Sequence, residues 1–396
     1  MRMIALYLAL AATPACAAGL SEEQAVEQGL AQPRVSALIE ARRGAAEGVA
    51  ASAGRWENPE IEYSRESLDL PGKDNREESL WLRQRFNIAG ARGLERQAAR
   101  LNLDGQYARI ELQSRELARE IRALYYDVVA ARQRLETHSG WHHRLEELAA
   151  AVEARWQAGD AARYDAVRLR QELALVGASV LQARAGYDSA REALFELIGT
   201  EPVALTGRLL PPAGSKSTAR ALDDHPTLRA LDAEARSAET RGKAARRDAW
   251  PDVTLGIGRR KVEGGGIDAE DGLIALGVEV PLFNRNQGES QTAEHEAHAL
   301  RAEASLARSR LRARTGEAMR LLEVRRTAAF ELSREAAREG GSLATIAEAA
   351  YAAGEIDVMA LIDAHRTGLA LEREANALAG AARESYIQLQ YLREDP

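Results

Sequence analysis

The sequence predicts a mainly α-helical protein with a small β part, arranged as two copies of one structural unit. Three observations carry this expectation. Between residue 18 and the C-terminal Pro396, prolines stand at 33, 59, 71, 202, 211, 212, 226, 251 and 281, which leaves two proline-free tracts, 72–201 and 282–395. Proline lacks an N–H and its ring clashes with the preceding turn, so tracts without it can be helix over most of their length. The tracts also share landmarks 195 residues apart: Glu153-Ala-Arg-Trp156-Gln-Ala-Gly159-Asp160 recurs as Glu348-Ala-Ala-Tyr351-Ala-Ala-Gly354-Glu355, and Gly93 recurs as Gly288. Finally, only 5% of the 396 residues are aromatic while 29% are charged. That mixture suits long helices better than a thick α/β core.

Residues 1–18 read as a secretory signal. Arg2 supplies the charge, Ile4 to Ala12 the short apolar core, and Ala15-Cys16-Ala17 a small-residue cleavage site. Cys16 is the sole cysteine, so the exported chain has no internal disulfide. It is also a candidate for lipid modification, although Thr13 stands where lipoprotein signals carry leucine. In the first copy, 19–200, a helix of about 20 residues follows Pro33. Two alternating segments come next, Ile61-Glu-Tyr63-Ser-Arg65 and Leu80-Trp-Leu82-Arg-Gln84-Arg-Phe86, joined by the turn-rich stretch from Asp69 to Asn75. A long helix then runs from about residue 91 to Gly159, and a return helix reaches about 198. A proline-rich linker covers 201–225. The second copy, 226–396, repeats the order: a helix after Pro226, then strands at Val253-Thr-Leu255-Gly-Ile257 and Leu273 to Val280, joined across Glu263 to Asp268. A long helix from about 286 to Gly354 and a return helix to about 392 complete it. Glycine is expected at both breaks because it adopts the left-handed conformation that ends a helix.

Magnitudes turn this pattern into an assembly. About 65 helical residues at 1.5 Å each make a rod of roughly 100 Å, which needs other long helices beside it. Four strands cannot close a barrel, and an isolated strand pair is unstable. Three copies would supply twelve strands, enough for a transmembrane β-barrel, and twelve rods for a long-helix α-barrel.

Several function classes are excluded or weakened. The net charge of −7 argues against nucleic acid, which needs a clustered basic excess. No run of about 20 apolar residues offers a membrane helix. No Ser-His-Asp, HExxH or phosphate-loop pattern appears, so neither an enzyme nor a cofactor is expected. His138 and His142, and His295 and His298 beside Glu294 and Glu296, sit at helical spacing. Neither pair has the three or four ligands of a closed metal site, and no metal site is assigned. The arginine-rich stretch Arg241 to Arg247 reads as a solvated helix face.

Two copies of helix, hairpin, long helix, Ala-Gly turn and return helix resemble the TolC-type outer membrane factors over nearly the whole exported chain. Asn58-Pro59-Glu60-Ile61 and Val280-Pro281-Leu282-Phe283-Asn284-Arg285-Asn286-Gln287-Gly288 are similar to the heavy-metal efflux, CzcC-like branch. The resemblance implies a homotrimer in outer-membrane lipid. It also implies a periplasmic adaptor (membrane fusion) protein and an inner-membrane RND-type pump as partners, and heavy-metal cations as cargo. Gly159, Asp160, Gly354, Glu355 and Asp357 would form the periplasmic tip that docks the adaptor. Tyr351 and Asp363 fall where the family constricts its pore, and Ile356 falls where its best-known member has a gate arginine. The competing class is a periplasmic coiled-coil adaptor or scaffold, which would leave the paired strand segments unexplained.

Overall fold

Helix ends follow the proline and glycine map in the computed structural model, which describes residues 19–70, 73–213, 220–264 and 267–393. Residues 1–18, the expected signal with Cys16, lie outside the described residues, as do 71–72 and 265–266 of the expected turns and 214–219 of the expected linker. The elements are α1 (Glu22–Leu30), α2 (Pro33–Ser52), β1 (Glu60–Leu70), β2 (Lys73–Phe86), α3 (Ala91–Ala158), α4 (Arg163–Ile198), α5 (Arg220–Asp223), α6 (Pro226–Arg247), β3 (Asp252–Gly264), β4 (Ile267–Glu279), α7 (Gln287–Glu335), α8 (Gly341–Ala352) and α9 (Val358–Arg393). A π-helical turn, Ala336–Gly340, separates α7 from α8. The second long helix is therefore not continuous as expected, and the interruption falls at the pair Gly340-Gly341. Such a turn inserts one residue into the i→i+4 ladder.

Both hairpins form, and both are longer than their alternating cores. Strand pairing continues out to Leu70↔Lys73 and Gly264↔Ile267, through stretches expected to be turns. Ladder hydrogen bonds come from the backbone, so polar side chains do not end them once the register is fixed. The sheet is antiparallel in the order β1-β2-β3-β4.

Two compact units make up the chain. One comprises Ala37–Gln113 and Thr218–Ala313; the other takes the chain up to Ser36, Ser114–Ser217 and Arg314 onward. Each draws on both halves of the sequence.

In the sheet-bearing unit, one face of the strands carries Ile61, Tyr63, Leu80, Leu82, Leu255, Ile257, Ile274, Leu276 and Val278, all exposed. The register places Ile61 opposite Leu82, Leu82 opposite Ile257, and Ile257 opposite Ile274, so these residues form one continuous apolar band. On the other face Trp81 covers Gly258, where an added Cβ would stand 2.7 Å from the indole. At the base of the strands, buried Asp252 accepts from Arg85 Nε (2.8 Å) and Asn87 Nδ2 (3.1 Å), while Asn87 Oδ1 accepts from the first amide of α3 (3.1 Å). The arginine-rich stretch is more than a solvated face. Arg241 pairs with Glu296 (3.0 Å), and Arg246 with Glu294 (2.8 Å) and Ser290 (2.9 Å), because α6 runs beside α7.

In the other unit, Ile121, Tyr125, Val128 and Val129 of α3 pack with Leu194, Phe195 and Ile198 of α4 and Ile387 of α9. Leu205 and Leu209, from the expected linker, are buried in the same cluster. Arg383 holds this segment: its guanidinium donates to the carbonyls of Leu209 (2.9 Å), Arg208 (2.6 Å) and Leu210 (3.2 Å), and lies 4.0 Å over the Tyr126 ring.

Candidate functional site: the paired helix turns

Two helix-to-helix turns bring most of the candidate residues together, both within the second of these units. At the first, Gly159 has φ +87°; at the second, Gly354 has φ +76°. Each turn closes with the same two bonds. Gly159 N–H donates to Trp156 O (3.0 Å) and Asp160 N–H to Arg155 O (2.8 Å); Gly354 N–H donates to Tyr351 O (3.0 Å) and Glu355 N–H to Ala350 O (2.9 Å). This 6→1, 5→2 pattern is a Schellman cap. It needs the left-handed conformation at the glycine, which costs other residues about 1 kcal/mol or more. Asp357 opens α9: its carboxylate accepts from Ala360 N–H (2.8 Å) and its carbonyl from Leu361 N–H (3.2 Å). A carboxylate there satisfies an orphan amide and favours the positive helix end.

Behind the turns lies an apolar cluster of Leu145 and Val152 from α3, Ala166, Leu169 and Val176 from α4, Ala347 and Tyr351 from α8, and Val358, Leu361 and Ile362 from α9. Ile356 packs against it, so the position matched to a gate arginine serves the core. Tyr351 is buried, and its hydroxyl donates to Asp165 Oδ2 across the cluster at 2.7 Å. Burial first, and this bond second, push the Tyr351 hydroxyl up to about 12. Asp165 stands in the first turn of α4, where the helix dipole favours its charge.

Asp363 is exposed between buried Ile362 and Ala364, as are Asp160, Glu355 and Asp357. Four carboxylates thus face solvent on or just beyond the two turns, and Tyr351 faces the core. Sequence reasoning found Tyr351 without its partner Asp165. It also missed the other polar ties between the two helical hairpins. Arg366 of α9 grips Glu172 of α4, with Nε to Oε1 at 2.8 Å, and Arg144 of α3 donates to Glu348 of α8 (2.8 Å). No periodicity marks such pairs, because their members lie about 200 residues apart.

Of the histidines, His138 is buried and His142 half-buried on α3, while His295 and His298 are exposed. Among the described residues no group of three or more histidine, cysteine or acidic side chains could hold a metal ion.

The fold is that of solved outer-membrane channel structures. A membrane protein from Pseudomonas aeruginosa matches with a TM-score of 0.79 at 17% identity, covering 94% of this chain and 93% of that one. CusC, solved in a study of transmembrane channel formation, matches at 0.77 and 17%, covering 94% and 91%. In sequence, residues 29–200 match the family of outer membrane efflux proteins. The chain is similar to the cobalt-zinc-cadmium resistance protein CzcC of Cupriavidus metallidurans, 26% identical over 255 residues. That alignment covers 61% of this chain and 59% of CzcC, so the chain spans about three-fifths of that relative.

Proposed function

We propose that this chain is one protomer of a trimeric outer-membrane efflux channel that exports heavy-metal cations. The observation that carries the proposal is the sheet. It has four strands, an exposed apolar band on one face, and β1 and β4 each paired on one side only among the described residues. Free edges and an apolar face of this kind are managed by closure into a barrel within lipid, and three copies supply twelve strands. The likeness to CzcC supports metal cations as cargo. A periplasmic adaptor and an RND-type pump, which the resemblance to the TolC-type outer membrane factors implies, are the partners on this reading.

On this reading residues 19–200 and 226–396 are two copies of one unit, joined through 201–225. The turns at Gly159 and Gly354 face the adaptor. Three copies of Asp160, Glu355, Asp357 and Asp363 gather twelve carboxylates around one opening. Like charges in a narrow, partly desolvated pore attract cations strongly. Tyr351 then serves as an internal latch, tying the second hairpin to the first through Asp165. The experiment is purification from outer membranes followed by light scattering and planar-bilayer recording. A detergent-requiring trimer with cation-selective conductance is expected. A monodisperse, detergent-free monomer would overturn the proposal.

A further inference from the structure

A second polar cluster lies deeper between the hairpins, and nothing assigned so far uses it. His365 of α9 is only 2% exposed. Its ring meets Trp141 of α3 edge to face at 5.6 Å. Nε2 lies 3.0 Å from Glu348 Oε1 of α8, yet neither ring nitrogen completes a hydrogen bond among the described residues. Glu348 is already held by Arg144, whose Nε donates at 2.8 Å and Nη2 at 3.5 Å. Arg144 also donates to Thr345. On α4, Glu172 is engaged by Arg366, the sequence neighbour of His365, and Arg338 of the π turn is exposed. The charges that act on the imidazole are the Glu348 carboxylate and the Arg144 guanidinium that neutralises it, beside the Trp141 ring.

The position 195 residues earlier makes the choice of histidine informative. There Arg170 pairs with Glu153 at 2.7 Å, and Arg170 is 64% exposed. The first hairpin keeps an always-charged, exposed arginine where the second buries a titratable imidazole.

We infer that His365, with Glu348 and Arg144, is a proton-sensitive positioning residue that keeps the second hairpin packed only while its imidazole is neutral. The inference rests on reading the helix turns as the gate. A proton on Nδ1 would be buried without an acceptor, and an unsatisfied buried donor is costly. Burial accordingly pushes the imidazole pKa down, against the pull of Glu348. The sign follows: with the folded value below the ordinary 6.5 or so, packing gains its full support above that value. Support is lost as pH falls through the lowered one. Acid therefore favours release of α9 from Trp141 of α3.

The test is hydrogen–deuterium exchange on the purified full chain at pH 7.5 and 5.5, corrected for intrinsic rates. Residues 344–366 should exchange on the order of three- to tenfold faster at the lower pH, with residues 121–129 unchanged. His365→Phe cannot charge and should abolish the acid response. His365→Gln, which also cannot charge, serves if the phenylalanine variant does not fold. An unchanged acid response in either variant, or none in the unmodified protein, overturns the inference. Conductance recorded in parallel separates the two readings. A proton-linked exchange response without any channel leaves the switch and removes the gate; a channel whose exchange ignores pH does the reverse.

Discussion

Removing one oxygen atom tests the latch. In Tyr351→Phe the ring keeps its place among Val152, Leu169 and Ile362, but the 2.7 Å bond to Asp165 is lost. A hydrogen bond to a charged acceptor contributes roughly 1.5–3 kcal/mol. Asp165 is half-buried, so water can replace part of the bond, which puts the loss near 1.4 kcal/mol, about tenfold in an equilibrium. If one released hairpin suffices to open a trimer, open probability rises about tenfold; if all three must release together, the factors multiply to about a thousandfold. Single-channel recording in planar bilayers distinguishes these outcomes. Asp165→Ala and the double variant complete a cycle, in which any loss of helix-dipole stabilisation at α4 appears in both backgrounds and cancels. The latch is refuted if Tyr351→Phe conducts as the unmodified channel does, or if the two substitutions are additive within about 0.3 kcal/mol. The hydroxyl is also insensitive to ordinary pH. Raised to about 12, it supports packing fully below 10 and loses that support only as pH climbs through the raised value, so an acid response cannot originate at Tyr351.

Two further outcomes are expected. Asp363→Asn should weaken divalent-cation block of single-channel current several-fold, because it removes one exposed charge per protomer from the proposed ring. Arg383→Met should cost about 2–4 kcal/mol in chemical denaturation, since the carbonyls of residues 208–210 lose a buried, charged donor; a loss under about 0.5 kcal/mol would show that the segment finds other partners.

The parts of the fold legible in the sequence were those that depend on local covalent limits. Proline placed the starts of α2 and α6 at 33 and 226, and glycine placed the turns at 159 and 354, because backbone geometry decides those positions wherever the chain packs. Alternation located the strand cores but not their ends, which depend on a ladder that only the partner strand supplies. The helix α1 was not read, although Ser21 and Gln24 form a reciprocal capping box there. Its nine residues carry too short an apolar pattern to be noticed. The π turn was also missed, since Gly340-Gly341 permits an extra residue in the ladder without demanding it. At the candidate site, single residues were legible and pairs were not. Asp165 and Glu172 look like ordinary acidic residues on a helix until Tyr351 and Arg366 arrive from 186 and 194 positions away.

The two helical hairpins are unequal, and the inequality bears on which of them moves. The first leaves its turn along α3, 68 residues without a break, and in its matched ion pair with Glu153 the Arg170 side chain is exposed. The second leaves its turn along α8, only 12 residues long, and then meets the π turn, where the helical ladder is locally altered. Its polar groups reach across: Tyr351 to Asp165, Arg366 to Glu172, and Glu348 to Arg144. Each of those bonds joins the second hairpin to the first, so releasing them frees α8 and α9 while the first hairpin keeps its internal pairs. For the proposed channel, the second hairpin is therefore the moving part and the first the wall it closes against. The acidic residues follow that division. Asp363, Glu355 and Asp357 all lie on the second hairpin, so opening would carry most of the ring charge with it and widen the opening and its field together.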